Sequence, residues 1–139
     1  CNVFIADSDP QFIPGQLYMG GGMKRDEEMS GWLTAIDVES GEVKWKYRSE
    51  RPMVAGVTTT AGGLVISGDL NGNLLLLDAS TGEVLHSISS GAMIGSSVVS
   101  YEVNGKQYIA AGTGTASGFF GPGPNPARTS SMIIYSLPD

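Results

Sequence analysis

The chain has 139 residues, 41% hydrophobic and 16% charged, a balance that suits one globular domain with a real core rather than a disordered segment. Its formal net charge of −6 argues against a nucleic-acid backbone or an anionic membrane surface as the main partner, and no apolar run approaches the roughly 20 residues that span a bilayer. Twenty glycines, seven prolines and a single cysteine point to many turns and short strands, and exclude an internal disulfide or a CxxC metal site.

Cys1 stands where a methionine would, which is expected of a piece cut from a longer polypeptide whose start and targeting signal are out of view. A first strand is predicted at 16–20. Lys24, Arg25, Asp26, Glu27 and Glu28 then form a mixed-sign run, read as a solvated loop with a partner-protein contact as the alternative. A strand at 31–37 follows, in which Leu33, Ala35 and Asp37 alternate with Thr34 and Ile36. Asp37 can accept hydrogen bonds from backbone N–H groups of the following turn, and Gly41 permits the positive φ of a tight reversal. The return strand, at 43–48, is antiparallel, and Trp45 ends this outer strand.

The stretch GWLTAIDVESGEVKW, beginning at Gly31, is repeated 41 residues later as GNLLLLDASTGEVLH, beginning at Gly72. Gly31 falls on Gly72, Leu33 on Leu74, Asp37 on Asp78, Gly41 on Gly82, and Glu42-Val43 on Glu83-Val84. A period near 40 to 45 is the length of one four-stranded propeller blade. Strands at 56–60, 64–68, 73–78 and 83–88 make one such blade, with a turn at Ala61, Gly62 and Gly63 and another at Asn71 and Gly72. A further blade starts at 96–101 and 106–111 around Asn104-Gly105, the best hairpin signal in the chain. Its last strand lies at 132–136. No stretch carries a 3.6 period, so the fold class is all-β: a partial β-propeller of two to three four-stranded antiparallel blades.

Within that frame several residues have both a chemical and a structural reading. Trp45 could stack on a cofactor, but its place in the repeat favours a blade-to-blade dock, with its N–H on a backbone carbonyl. His86, the only histidine, occupies the repeat position of Trp45 and is read as packed or partly exposed rather than catalytic. Asp37 and Asp78 resemble paired acids, yet they hold the same turn position in successive blades, too far apart to share a proton. The stretch from Gly112 through Pro126, with Phe119 and Phe120 in it, is the main insertion; prolines rule out a dinucleotide fingerprint. The two rings either tuck onto their own blade or cover a pocket mouth or an electron-acceptor contact.

The segment Ala35-x-Asp37-x-x-Ser40-Gly41-x-x-x-Trp45 resembles the tryptophan-docking motif of quinoprotein alcohol dehydrogenases, which use pyrroloquinoline quinone (PQQ). The stretches VTTTAGGLVISGDLNG, GAMIGSSVVSYEVNGKQYIAAGTG and SSMIIYSLPD are similar to the family's C-terminal blades. The resemblance implies an eight-bladed ring holding PQQ and calcium or a lanthanide on its axis in the bacterial periplasm, and oxidation of alcohols to aldehydes by hydride transfer. Electrons would leave to a cytochrome c; a fused haem domain would need a CxxCH motif, which is not in this sequence.

In that family the metal ligands, the catalytic Asp, the vicinal disulfide and the tryptophan beneath the quinone lie upstream of the matched region. No catalytic or metal-binding residue is therefore expected in this chain, and the piece alone is expected to be inactive and to bind no cofactor. Val54 stands where methanol dehydrogenases carry a PQQ-contacting tryptophan. By carry-over, Val54, Ala55 and Gly56 line the rim of the cofactor pocket; the alternative is that they only start an inner strand. The resemblance divides 1–139, a single C-terminal propeller fragment, into 1–49 (the end of one blade, with the Trp motif), 50–89 (a complete blade) and 90–139 (the last blade, with a long loop at 112–130).

Two or three blades cannot close a ring. The expected partners are the remaining blades or a second copy of the chain, and a lone chain is expected to run larger than a monomer. A non-catalytic propeller-like binding or scaffold module is the competing function.

Overall fold

The computed structural model describes residues 2–9, 11–25, 28–114 and 130–136, and all of its regular elements are β-strands. They are β1 (Asn2–Ala6), β2 (Gly21–Arg25), β3 (Gly31–Ile36), β4 (Val43–Ser49), β5 (Thr58–Thr59), β6 (Leu64–Gly68), β7 (Asn73–Asp78), β8 (Val84–Ser89), β9 (Val98–Val103), β10 (Lys106–Thr113) and β11 (Ser131–Ser136). Among the described residues these form antiparallel sheets in the orders β1-β2, β3-β4, β5-β6-β7-β8 and β9-β10-β11. Among the described residues, no helix is long and apolar enough to cross a membrane.

The four-stranded sheet lies between two others, which explains its composition. Leu74, Leu75, Leu76 and Leu77 form a continuous apolar run because both faces of β7 are covered. Leu75 and Leu77 join Val65 on one face, against Leu33, Trp45 and Tyr47 from β3 and β4. Ile66 and Leu74 lie on the other face, against Ile94 and against Val98 and Ala111 of β9 and β10. Successive residues of a strand point to opposite faces, so one four-residue run serves two interfaces. The chain is an all-β partial propeller, as the repeat predicts.

The two repeat hairpins match closely. Asp37 Oδ1 accepts from the amides of Glu39 and Ser40 at 3.1 and 2.9 Å, and Asp78 Oδ1 from those of Ser80 and Thr81 at 2.8 and 2.9 Å. Gly41 and Gly82 have φ of 73° and 75°. Each hairpin also has a register shift just before its Asp, between Ala35 and Ile36 and between Leu76 and Leu77. The turn between β9 and β10 places Asn104 and Gly105 at φ of 52° and 77°, the two positive angles of a type I′ hairpin turn.

Elsewhere the strands differ from those expected. Residues 16–20 are not a strand: Gly15 just before them and Gly20 at their end, at φ of 84° and 66°, turn the chain. The ladder forms instead between β1 and β2, which places Lys24 and Arg25 in a strand rather than in a loop. The strand expected at 56–60 shortens to Thr58 and Thr59, because Gly56 N donates to Ser96 O of the next blade at 3.0 Å rather than into its own sheet. Trp45 is the third residue of the seven in β4, not its last. β10 runs on to Thr113, so the insertion starts at Gly114; Phe119 and Phe120 lie outside the described residues.

Candidate functional site at the blade ends

Antiparallel order brings the start of β5, the end of β6, the start of β7, the end of β8 and the start of β9 to one end of the stack. The connections at this end, residues 50–57, 69–72 and 90–97, include the three candidate rim residues. Gly56 is held on both sides: its N–H donates to Ser96 O, and its carbonyl accepts from the buried Ser67 Oγ at 3.3 Å. A Cβ at Gly56 would stand 3.3 Å from Ser97 Cα and Val98 N, so the glycine permits close backbone approach between the two blades. Ala55 packs against the cluster around Ile66 and Ile94, while Val54 stays exposed.

Ser96 and Ser97 join this rim to the last blade. Ser96 Oγ donates to Gly112 O at 3.0 Å, and Gly112 N donates to Ser97 O at 3.4 Å. Gly114 N donates to Met93 O at 3.0 Å, and Thr58 Oγ1 donates to Val98 O at 2.5 Å. None of these serines or this threonine was singled out from sequence. The doublet Ser96-Ser97 after Gly95 was the available signal, but hydroxyls that bond backbone on another strand have no sequence pattern of their own. At the same end Asp69, buried to 3% exposure, accepts from Asn71 N, Asn73 N and Asn73 Nδ2, each at 2.9 Å, and so closes the turn between β6 and β7. Burial first, and then the charge of Asp69, push the Tyr47 hydroxyl above its usual titration range.

The opposite end holds the docking device. Trp45 Nε1 donates to Ala79 O at 2.9 Å across the blade interface. A Cβ on Gly82 would stand 2.5 Å from Trp45 Cδ2 and Cε3, so the indole lies directly on this glycine. Asp37 and Asp78 each cap their own turn. The backbone N–H of Ser40, then the Lys44 ammonium at 3.2 Å from Oδ2, hold the Asp37 carboxyl below its ordinary value. The Ser80 hydroxyl and amide do the same for Asp78. These are capping carboxylates, not an acid–base pair. His86 is exposed on β8. Among the described residues, no group of three His, Cys, Asp or Glu side chains is placed to hold a metal ion. A concavity lined by residues of β1, β2 and their connection includes none of the candidate site residues.

The rim is therefore a small-residue, backbone-rich edge. It can lie against one side of a flat ligand, but it presents no base and no cation-binding cluster.

Residues 29–119 match the PQQ_2 family, described as outer membrane protein assembly factor BamB. The quinoprotein ethanol dehydrogenase of Pseudomonas aeruginosa is 34% identical over 101 residues, 70% of this chain and 16% of that protein. The lupanine 17-hydroxylase [cytochrome c] of a Pseudomonas species is 39% identical over 119 residues, 84% of this chain and 17% of that protein. Among solved structures, a europium-containing methanol dehydrogenase superposes with a TM-score of 0.68 at 25% identity, covering 76% of this chain and 20% of that one. The chain thus spans about one sixth of the length of these curated relatives.

Proposed function

Because this chain belongs to the PQQ_2 propeller family and is homologous to part of the quinoprotein alcohol dehydrogenases, we propose that it forms the C-terminal blades of a PQQ-dependent alcohol dehydrogenase. The observation that carries this reading is identity of 34% to a quinoprotein ethanol dehydrogenase over 70% of the chain, beside 39% to the lupanine 17-hydroxylase over 84%. That continuous likeness favours the enzyme over a non-catalytic scaffold.

The residues present fit an edge of the cofactor pocket. Val54, Ala55 and Gly56 are small, and Gly56 is fixed from both sides by Ser96 and Ser67, so the rim holds its position without side chains that would fill the pocket. Val54, Ala55 and Gly56 are the residues that would flank bound PQQ in this chain, with Val54 at the position where methanol dehydrogenases carry a tryptophan. The chemistry supplied by bound PQQ is acceptance of a hydride from the alcohol carbon, with a calcium or lanthanide cation as Lewis acid. This chain's part is positional: it excludes water along one side and keeps the neighbouring blade in register. The base and the metal ligands come from other blades. Electron transfer to a cytochrome c and a periplasmic location belong to the same reading.

The test is a segment exchange. Residues 50–114 replace the matching segment of the Pseudomonas aeruginosa enzyme, and dye-linked alcohol oxidation is measured with PQQ and calcium. A folded chimera that retains the quinone absorbance and turns over ethanol supports the proposal. A folded chimera that binds no PQQ refutes it. The 139-residue chain alone is expected to show no turnover.

A further inference from the structure

Asn-Gly occurs twice in this chain, at Asn71-Gly72 and Asn104-Gly105, and each glycine turns the backbone with a positive φ, 88° and 77°. The dipeptide has a chemistry of its own. With no Cβ on the glycine, its backbone nitrogen can reach the asparagine side-chain carbon and close a five-membered ring. The two turns differ in whether that nitrogen is free to do so. Gly72 is buried: its N–H donates to Asp69 O at 3.2 Å, and its carbonyl accepts from Ser90 N at 2.7 Å and Ser90 Oγ at 2.9 Å. Asn71 N is tied to Asp69 Oδ1 at 2.9 Å, and a Cβ on Gly72 would stand 2.7 Å from Ala92 O. Rotation at this link breaks those bonds and meets the Ala92 backbone. Asn104 and Gly105 are exposed instead, and a Cβ on Gly105 would meet nothing within 4 Å. Among the described residues Gly105 N makes no backbone hydrogen bond, because the hairpin closes around it through Val103 and Lys106.

We propose that Asn104 is a site of spontaneous intramolecular deamidation, and that the fold protects Asn71 from the same reaction. The Gly105 nitrogen, having lost its proton to hydroxide, attacks Asn104 Cγ. An N–Cγ bond forms, the bond from Cγ to the side-chain nitrogen breaks, and that nitrogen leaves as ammonia with a proton taken from water. Water then opens the succinimide ring at one of its two carbonyls. One opening leaves an ordinary aspartate at 104; the other leaves isoaspartate, whose main chain runs through Cβ. The net change is one water consumed and one ammonia released, with no oxidant or reductant. Either product adds a negative charge. Isoaspartate also lengthens the two-residue turn by one main-chain atom, which a type I′ turn does not accommodate, so the pairing of Val103 with Lys106 is lost. An exposed hairpin tip opens at little cost, which gives the nitrogen its approach. This inference stands on turn geometry and does not rest on the quinone reading.

The test holds the intact chain in mildly alkaline buffer made with 18O-labelled water, with a parallel sample unfolded in urea. Proteolytic digestion and mass spectrometry then give the rate at each asparagine, the label separating conversion during incubation from conversion during digestion. In the folded chain Asn104 is expected to convert at least tenfold faster than Asn71, at a rate that rises with pH. In urea the two rates are expected to be about equal, because both asparagines are followed by glycine and neither is then held. Asn104→Gly, which suits the turn, is expected to remove most of the acidic species that isoelectric focusing shows in the folded sample. Overturning results are equal rates at the two sites in the folded chain, faster conversion at Asn71, the same tenfold difference persisting in urea, or an Asn104 that keeps its amide while the unfolded chain converts.

Discussion

Alanine at Gly82 should cost far more than alanine at Gly41, although the two glycines share one backbone conformation. At Gly41, φ is 73° and an added Cβ meets nothing, so Gly41→Ala carries only the left-handed penalty, about 1–2 kcal/mol. At Gly82 the same penalty applies, and the Cβ would also stand 2.5 Å from two ring carbons of Trp45. The indole must move, which strains or releases its bond to Ala79 O (about 1 kcal/mol) and disturbs packing (about 1–3 kcal/mol). Gly82→Ala should therefore lose roughly 3–6 kcal/mol. Urea unfolding followed by circular dichroism measures both variants, with a constant slope confirming that the unfolding transition is comparable. A cycle with Trp45→Ala separates the terms: without the indole, Gly82→Ala should fall back to the Gly41→Ala value, a coupling of about 2–4 kcal/mol. Equal costs at the two glycines, or a Gly82→Ala penalty indifferent to Trp45, would refute the dock as the device joining the blades.

Further outcomes follow from the same contacts. Ile94 is fully buried between the blades and lies against Gly68, so Ile94→Ala should cost about 2–4 kcal/mol by urea unfolding. Asn104→Gly should be nearly neutral and Asn104→Val should lose about 1–2 kcal/mol by thermal unfolding, since φ of 52° suits glycine and strains a β-branched residue. The lowered Asp37 and Asp78 carboxyls stabilise the fold fully above their ordinary 3.8, and that contribution disappears as pH falls through their lower folded values. Urea midpoints measured from pH 6 to pH 2 should drop in that acid range, and the double Asp37→Asn/Asp78→Asn variant should show a shallower drop.

Local features of the fold were legible because they are written in short spacings. The Asp-x-x-Ser/Thr-Gly turns, the Asn104-Gly105 hairpin and the 41-residue repeat each depend on a few neighbouring residues, and each has the expected geometry. Repetition also identified the role of Trp45, because a residue tied to a repeat has a structural duty in it. What stayed hidden depends on contacts distant in sequence. β2, with the sequence GGMKR, has glycines and charges where an alternating strand would have apolar residues, and only pairing with β1 makes it a strand. The shortening of β5 is set by Ser96, forty residues downstream of Gly56. The rim was reached through family likeness. Its fixing by Ser67, Ser96 and Gly112 arises from three loops meeting at one end of the stack, and no single stretch of sequence encodes that meeting.

Methyl NOEs on the chain, labelled at Leu, Ile and Val methyls, test most directly whether residues 64–89 form a blade packed between two others. Leu75 and Leu77 should show contacts to the Trp45 ring, while Leu74 and Ile66 should show contacts to Val98 and Ile94, with no crossing between the two sets. A Leu74 methyl in contact with Trp45, or a Leu75 methyl in contact with Val98, would place these residues on the wrong faces and contradict the stack of blades.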